Sequence, residues 1–136
     1  MSKTTDDDTI TVGELGVRFL IEAADSNGSA SVFECVVPAN SRMPLPHNHD
    51  GFEETIYGLV GTTTWTIDHE TCDIGPGEAV CVRRGQVHGF QNHGDLDARF
   101  LAIATPAVFG PAYFGRSPKS SPPAPAALRT CPRSVR

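Results

Sequence analysis

The sequence has no hydrophobic run long enough to cross a membrane, and no apolar stretch follows a basic start as it does in secretion signals. Its four cysteines lie at positions 35, 72, 81 and 131, and no two of them form a CxxC pair. This spacing excludes the common zinc-ribbon and thioredoxin-like motifs and favours reduced thiols. We therefore expect a soluble, cytoplasmic protein without disulfide bonds.

Basic residues are scarce in positions 1–115, which hold 6 Lys and Arg side chains against 16 Asp and Glu. A body of this charge repels phosphate and anionic lipid. Residues 116–136 hold 5 basic and no acidic side chains, but no aromatic residue accompanies them as in single-strand binding segments. The composition therefore predicts neither a nucleic-acid partner nor a membrane partner.

Several motifs of enzyme active sites are also missing. The sequence contains no GxSxG, no GxxxxGK[ST] and no GxGxxG. A hydrolase nucleophile elbow, a P-loop and a dinucleotide-binding turn therefore have no support.

The length of 136 residues fits one domain, and the 39% hydrophobic content is that of a globular protein. We predict a disordered lead-in over residues 1–11, a folded domain over 12–116 and a disordered, proline-rich basic tail over 117–136. Within the domain, short β-type runs follow one another between turn residues, without a helical pattern. They are residues 17–24, 31–37, 52–60, 62–67, 78–83, 87–92 and 98–105. Such a series predicts an all-β sandwich or small barrel of antiparallel strands.

Alternation within these runs predicts which side chains face the interior. Residues 31–37 place Phe33, Cys35 and Val37 on one apolar face. The run 62–67 alternates Thr63, Trp65 and Ile67 against three threonines, and the last run places Ala98, Phe100, Ala102 and Ala104 together. The mostly small side chains of this last face would leave room for a ligand.

Four possible metal ligands stand out by their spacing: His47, His49, Glu54 and His88. Residues two apart on an extended chain point to the same side, so one ion could take both His47 and His49. Glu54 would add an anionic oxygen from the next strand, whereas His88 would arrive from a distant one. Three imidazoles and one carboxylate suit a divalent Fe, Mn, Ni, Co, Cu or Zn ion better than Ca or Mg. Glu53 is a second candidate carboxylate.

At these residues the chain resembles a known family. Residues 47–61, HNHDGFEETIYGLVG, read HxHx4Ex6G, and residues 77–92, GEAVCVRRGQVHGFQN, read Gx5RxGx2Hx3N. Both are similar to the paired motifs of the cupin superfamily, and the 15 residues between Gly61 and Gly77 resemble the short spacing of small, quercetinase-like single-domain cupins. Glu54 fits the spacing to Gly61 better than Glu53 does. The chain departs from the pattern at Arg83, which stands where the second motif usually has proline.

The resemblance implies a double-stranded β-helix, a jelly-roll-like barrel, in which His47, His49, Glu54 and His88 hold one divalent transition metal. It also implies a homodimer and a small-molecule substrate. For a substrate pocket we predict Phe90, which shares its strand face with His88, together with Phe100, Arg83 and Asn92.

Such a metal site supports more than one kind of chemistry, and the fold does not select among them. Our leading expectation is a metal-dependent enzyme that performs dioxygenase-type chemistry on a small oxygenated organic molecule. One alternative is a non-redox isomerase, cyclase, decarboxylase or lyase that uses the metal as a Lewis acid, with Glu54 as ligand or, if it detaches, as base. The other alternative is a non-catalytic small-molecule-binding protein.

Overall fold

The computed structural model describes residues 9–43, 46–107 and 110. Within these ranges the chain forms nine strands and one short helix. In chain order they are β1 (Thr9–Val12), β2 (Leu15–Ile21), α1 (Ala23–Ser26), β3 (Ser31–Val37), β4 (Glu53–Val60), β5 (Thr63–Ile67), β6 (Glu70–Ile74), β7 (Ala79–Val82), β8 (His88–Gln91) and β9 (Ala98–Thr105). In these ranges no helix is both long and apolar enough to span a membrane.

The strands pair antiparallel in two sheets that face each other across the core. The larger sheet has the order β1-β2-β3-β9-β4-β7, and the smaller one has the order β6-β5-β8. Isolated bridges from Arg42 to Gln91 and from His47 to His88 extend the smaller sheet beyond β8. This is the jelly-roll barrel that the sequence predicted, since helix is confined to four residues among those described.

Burial follows the predicted alternation. On β3 every second residue from Ser31 to Val37 is buried, and the same holds for β5 and β9. The interior side chains that are almost fully buried include Trp65, Phe100 and Ile56. Burying such aromatic and branched groups between two sheets contributes most of the stability of a fold of this kind.

The structure differs from the predicted strands at three places. Strands β1 and β6 lie where no strand was predicted, and β1 includes residues 9–11 of the predicted lead-in. Both are short edge strands with only two apolar residues each, Ile10 and Val12 in β1 and Cys72 and Ile74 in β6, so their alternation is too brief to signal a strand. The predicted strand 17–24 ends at Ile21, because Glu22 and Asp25 form a capping box that starts α1. The lead-in up to residue 8 and the tail 117–136 lie outside the described residues.

Strand β4 crosses the turn between β6 and β7 closely at Gly58. Gly58 on β4 donates its N–H to the carbonyl of Glu78 and accepts a hydrogen bond from the N–H of Gly77, both at 2.9 Å. A Cβ at position 58 would collide with the carbonyl oxygen of Gly75. Gly77 has φ +79°, the left-handed conformation that the third residue of a type II turn needs. This crossing fixes how the turn that leads to β7 lies against β4.

Candidate metal centre

Three histidines that are far apart in sequence meet inside the barrel. Candidate ligand atoms of His47, His49 and His88 all lie within 4.8 Å of one another. Glu54 joins them, because its Oε2 lies 3.7 Å from Nε2 of His49 and 3.7 Å from Nε2 of His88. The structure thus brings together the four side chains that the sequence singled out as ligands.

Main-chain pairing places His47 opposite His88. Each of the two residues donates its N–H to the carbonyl of the other, at 2.9 and 2.8 Å. Residues that exchange both hydrogen bonds in an antiparallel pair present their side chains on the same face of the sheet. The two rings therefore meet, with centroids 4.6 Å apart.

The ring of His88 is oriented by a second hydrogen bond. Its Nδ1 lies 3.0 Å from the carbonyl oxygen of Gln86. A carbonyl oxygen only accepts, so in the neutral ring Nδ1 carries the proton and Nε2 has the lone pair. That lone pair lies on the Glu54 side of the ring, which is the arrangement that a metal ligand needs.

His49 is held from two sides. Its carbonyl oxygen accepts the N–H of Gly85 at 2.7 Å, and its ring stacks on Phe52 with centroids 4.4 Å apart. The ring is 4% exposed, whereas His47 is half-buried. The cluster therefore opens toward solvent on the His47 side.

The adjacent carboxylates Glu53 and Glu54 have opposite surroundings. Glu54 pairs with Ala104 of β9 and Val82 of β7 and points into the barrel, where it is 6% exposed. Glu53 points outward and forms an ion pair with Arg84 at 2.8 Å. The strand register therefore assigns Glu54 to the cluster, in agreement with the choice that the sequence favoured.

The protonation states inside the barrel suit a cation. Burial lowers the pKa of His49 to about 3; the carboxylate of Glu54 opposes this shift, while His47 and His88 add to it. Burial alone would raise the pKa of Glu54, but the neighbouring imidazoles, His88 foremost, outweigh it and hold the pKa below its ordinary value. At neutral pH the site therefore presents a neutral His49 imidazole beside an ionised carboxylate.

A bound divalent ion would give the buried carboxylate of Glu54 a partner charge. Oε2 of Glu54 is buried and has no hydrogen-bond partner among the described residues. A buried ionised oxygen needs a partner charge, and 3.7 Å is too long for a hydrogen bond to either imidazole. Two ligand atoms at about 2.1 Å from one ion can be that far apart. The residues present therefore fit a metal ion of the N and O ligand class.

Cys35 faces the same interior but is unsuited to be a ligand. It is 2% exposed on β3. Burial raises the pKa of its thiol far above the ordinary value, and the charges of Glu54 and Glu34 raise it further. Only the thiolate binds metal well, so the donor set remains three imidazoles and one carboxylate.

The aromatic residues predicted for the pocket lie inside the barrel. Phe90 packs on Trp65 and Phe100, with centroids 4.7 and 5.1 Å apart, and is half-buried. It faces the interior with His88, as its position on the strand predicted. Phe100 is 1% exposed and packs edge-on against Trp65. The ring of Phe100 is therefore part of the packed core, and its place in a substrate pocket stays a prediction.

Two other predicted pocket residues lie elsewhere. Arg83 is exposed in the turn between β7 and β8, so its guanidinium does not face the barrel interior. Asn92 is 3% exposed, and its Nδ2 donates to the carbonyls of Val37, Pro38 and Leu96. Its Oδ1 accepts the N–H of Gly94. Asn92 therefore ties loops together through its side chain.

A cavity of about 400 Å³ lies beside β8. Its lining includes Thr64 and Thr66 of β5, which alternate with the interior residues Thr63, Trp65 and Ile67. The cavity therefore borders the outer face of the smaller sheet, and its lining also includes His88 and Phe90 of β8.

Three residues around the cluster have no signal in the sequence. Phe52 stacks on His49, and Asp68 and Gln86 form a buried hydrogen bond behind His88. Their partners are fixed by the fold, so spacing along the chain does not reveal them. A buried Asp and Gln are unusual enough to identify once burial is known.

The fold and the cluster define a class: an antiparallel β-barrel with three imidazoles and one carboxylate converging in its interior. A profile described as "Cupin domain" matches residues 33–104, which is more than half of the chain. The chain therefore belongs to the cupin family. The uncharacterised protein MJ1618 of Methanocaldococcus jannaschii is 29% identical over 76 residues, which cover 56% of this chain and 60% of that protein. That match spans less than two thirds of the relative's length.

Solved structures resemble the whole barrel. The polyketide cyclase RemF from Streptomyces resistomycificus is 29% identical with a TM-score of 0.64, and the match covers 81% of this chain and 87% of that one. A predicted oxalate decarboxylase from Thermotoga maritima is 24% identical with a TM-score of 0.64, covering 68% and 81%. KdgF from Halomonas sp. is 15% identical with a TM-score of 0.66, covering 78% and 94%. The last two show the shared fold.

Proposed function

We propose that this chain is a metal-dependent cupin enzyme that acts on a small oxygenated organic molecule. One divalent transition metal would be held by four side chains: His47, His49, Glu54 and His88. The observation that supports this most directly is the buried Oε2 of Glu54, 3.7 Å from two imidazole nitrogens. A buried carboxylate between histidines is stabilised by a cation and costly without one.

A metal bound there supplies Lewis acidity for a carbonyl substrate or, if it is redox-active, a site for dioxygen chemistry. The chain contributes the rest. Phe52 holds the ring of His49 by stacking, and the hydrogen bond to Gln86 keeps the proton of His88 on Nδ1. The lowered pKa of Glu54 keeps its carboxylate ionised, as a ligand or as a base for a substrate proton.

Between the two chemistries we place non-redox catalysis of the cyclase type first. The support is the likeness to a polyketide cyclase, which extends over most of both chains at 29% identity. This reverses the slight preference for dioxygenase chemistry that the sequence suggested. The dioxygenase alternative remains a second candidate, because a site rich in imidazoles also suits Fe, Ni and Cu.

Metal analysis tests the shared part of the proposal. The protein is purified without added ions, its metal content is measured, and the chelated protein is titrated with Zn²⁺, Mn²⁺, Co²⁺ and Ni²⁺. We expect one high-affinity ion per chain. Protein that carries no metal and takes up none would overturn the proposal.

A turnover assay separates the two chemistries. The loaded protein is incubated with poly-β-carbonyl and phenolic compounds while dissolved oxygen and product mass are followed. A product formed without oxygen uptake, with unchanged mass or loss of water, supports the cyclase type. A product that gains two oxygen atoms, with matching oxygen uptake, identifies a dioxygenase. Tight binding without any product identifies a non-catalytic binding protein.

A further inference from the structure

Two buried polar side chains lie behind the metal centre, on the side of His88 away from Glu54. Asp68 stands in the turn between β5 and β6 and is 4% exposed, and Gln86, in the turn between β7 and β8, is fully buried. Buried Asp and Gln are retained only where their hydrogen-bonding groups are satisfied. These two satisfy each other, because Nε2 of Gln86 donates to Oδ2 of Asp68 at 3.2 Å.

The same two side chains hold both ends of the turn that precedes His88. Oε1 of Gln86 accepts the N–H of Arg83 at 2.8 Å, where the turn begins. Oδ1 of Asp68 accepts the N–H of Val87 at 3.0 Å, where it ends, and the N–H of Asp68 donates to the carbonyl of Val87 at 2.7 Å. A continuous chain of hydrogen bonds therefore spans the turn through the Asp68–Gln86 contact.

This chain reaches the metal centre through the main chain of Gln86. The carbonyl of Gln86 is the acceptor for Nδ1 of His88. If the turn shifts, that carbonyl moves, and both the proton position and the ring orientation of His88 change with it.

We infer that Asp68 and Gln86 are positioning residues for the metal centre: their buried contact fixes the turn so that the ring of His88 keeps Nδ1 toward the carbonyl of Gln86 and Nε2 toward the ion. The inference rests on the proposed metal binding. It assigns a function to two polar residues that do not reach the cluster themselves.

The hydrogen bonds have a direction that isosteric substitutions can test. Two main-chain N–H groups, of Arg83 and Val87, enter the chain from opposite ends. The two side chains between them must therefore offer an acceptor at each end and one donor-to-acceptor contact in the middle. Asp68 with Gln86 meets this requirement.

Single substitutions break the pattern and a double one restores it. Asp68→Asn places two NH₂ groups against each other, and turning either amide moves the clash to a main-chain N–H. Gln86→Glu places two carboxylates against each other. The double variant Asp68→Asn with Gln86→Glu restores the three side-chain hydrogen bonds described above, with the middle one reversed and the total charge unchanged.

The experiment measures Co²⁺ binding by full-length wild type, both single variants and the double variant, by titration and by the absorption spectrum of the bound ion. We expect each single variant to bind Co²⁺ about 10- to 100-fold more weakly, with shifted absorption bands. We expect the double variant to recover most of the affinity and the wild-type spectrum. Asn92→Ala is the control, because it removes buried hydrogen bonds elsewhere. It should lower the melting temperature and leave the spectrum unchanged.

The outcomes are distinct. Wild-type affinity and spectrum in both single variants would overturn the inference and leave the metal proposal intact. Wild type that binds no Co²⁺ or other ion would overturn the metal proposal itself. If the single variants do not fold, the double variant decides: a folded double variant with the wild-type spectrum supports the inference, and one that is unfolded or binds weakly refutes it.

Discussion

The histidine cluster is drawn from two regions that are held in different ways. His88 begins a strand that pairs with β5 on one side and with His47 on the other, behind a turn fixed by buried side chains. His47 and His49 lie in a connection outside the named strands, where individual hydrogen bonds to His88 and Gly85 hold them. The comparison indicates that one half of the site is built into the sheet, while the other is completed by a few contacts and, we expect, by the metal.

Removing the ligand from the sheet-bound half should have the largest effect. We expect His88→Ala to weaken metal binding by more than about 100-fold, beyond the loss typical for an outer partner of a ligand. The barrel should still unfold cooperatively, because the ring lies at the polar cluster and not among the aliphatic core residues. Metal content and a thermal melt measure the two effects. His69→Ala and His93→Ala, at exposed turn positions, are the controls; if either strips the metal as thoroughly, the ligand assignment is wrong.

Removing the metal itself should affect the two halves unequally. At a free metal concentration of about 100 times Kd, binding stabilises the fold by about 2.7 kcal/mol, so chelation should lower Tm by about 10 °C. Amide hydrogen exchange should speed up more at residues 47–49 than at residues 88–91. The reason is that 88–91 pair with β5, whereas 47–49 lie outside the named strands. Equal changes in the two segments would mean that the two halves are equally preformed.

Acid should weaken the metal-free protein, mainly through His49. Its folded-state pKa of about 3 lies below its ordinary 6.5, so the unfolded chain takes up the proton first and stability falls as pH drops from 6.5 toward 3. Glu54 acts in the same direction: its lowered pKa gives stability that is present above its ordinary 4.5 and lost as pH falls. One such histidine contributes a slope of at most about 1.4 kcal/mol per pH unit. Urea unfolding of wild type and His49→Asn checks this, and an equal slope in both would contradict it.

The smallest effect should come from the carboxylate beside the site. Glu53→Gln removes an ion pair between partly exposed groups, which is worth about 0–1 kcal/mol, and should leave metal affinity unchanged. Glu54→Gln, one position along, removes the anionic ligand. Loss of an outer partner of a ligand already costs about 10- to 100-fold in affinity, so loss of this ligand should weaken binding at least tenfold. A metal titration of the two variants compares them directly. Similar losses in both would show that the strand register is wrong.

The sequence was sufficient to predict features that depend on a local pattern, such as alternation along a strand or spacing within a motif. Alternation predicted the buried faces of β3, β5 and β9, and motif spacing selected Glu54 over Glu53 before the ion pair with Arg84 was known. Edge strands β1 and β6 were missed, because each is short and has only two apolar residues in alternation.

The rest depends on contacts between distant residues. Asn92 and Phe100 were assigned to a substrate pocket because their motif or face suggested it, yet loop carbonyls occupy the amide of Asn92, and other aromatic rings enclose Phe100. Asp68 and Gln86 were not singled out, because their contact joins two turns 18 residues apart. Hydrogen bonds of this kind are set by the fold and leave no local signature.

The crossing at Gly58 limits how this barrel can change. Even one methyl group at that position would push against the carbonyl of Gly75, so alanine should be rejected there as firmly as a bulky residue. Substitutions that enlarge the barrel interior must therefore occur at positions other than Gly58. The alanines that β9 contributes to the interior are already small, which leaves shortening of the aromatic wall around Trp65 and Phe90 as the way to gain volume.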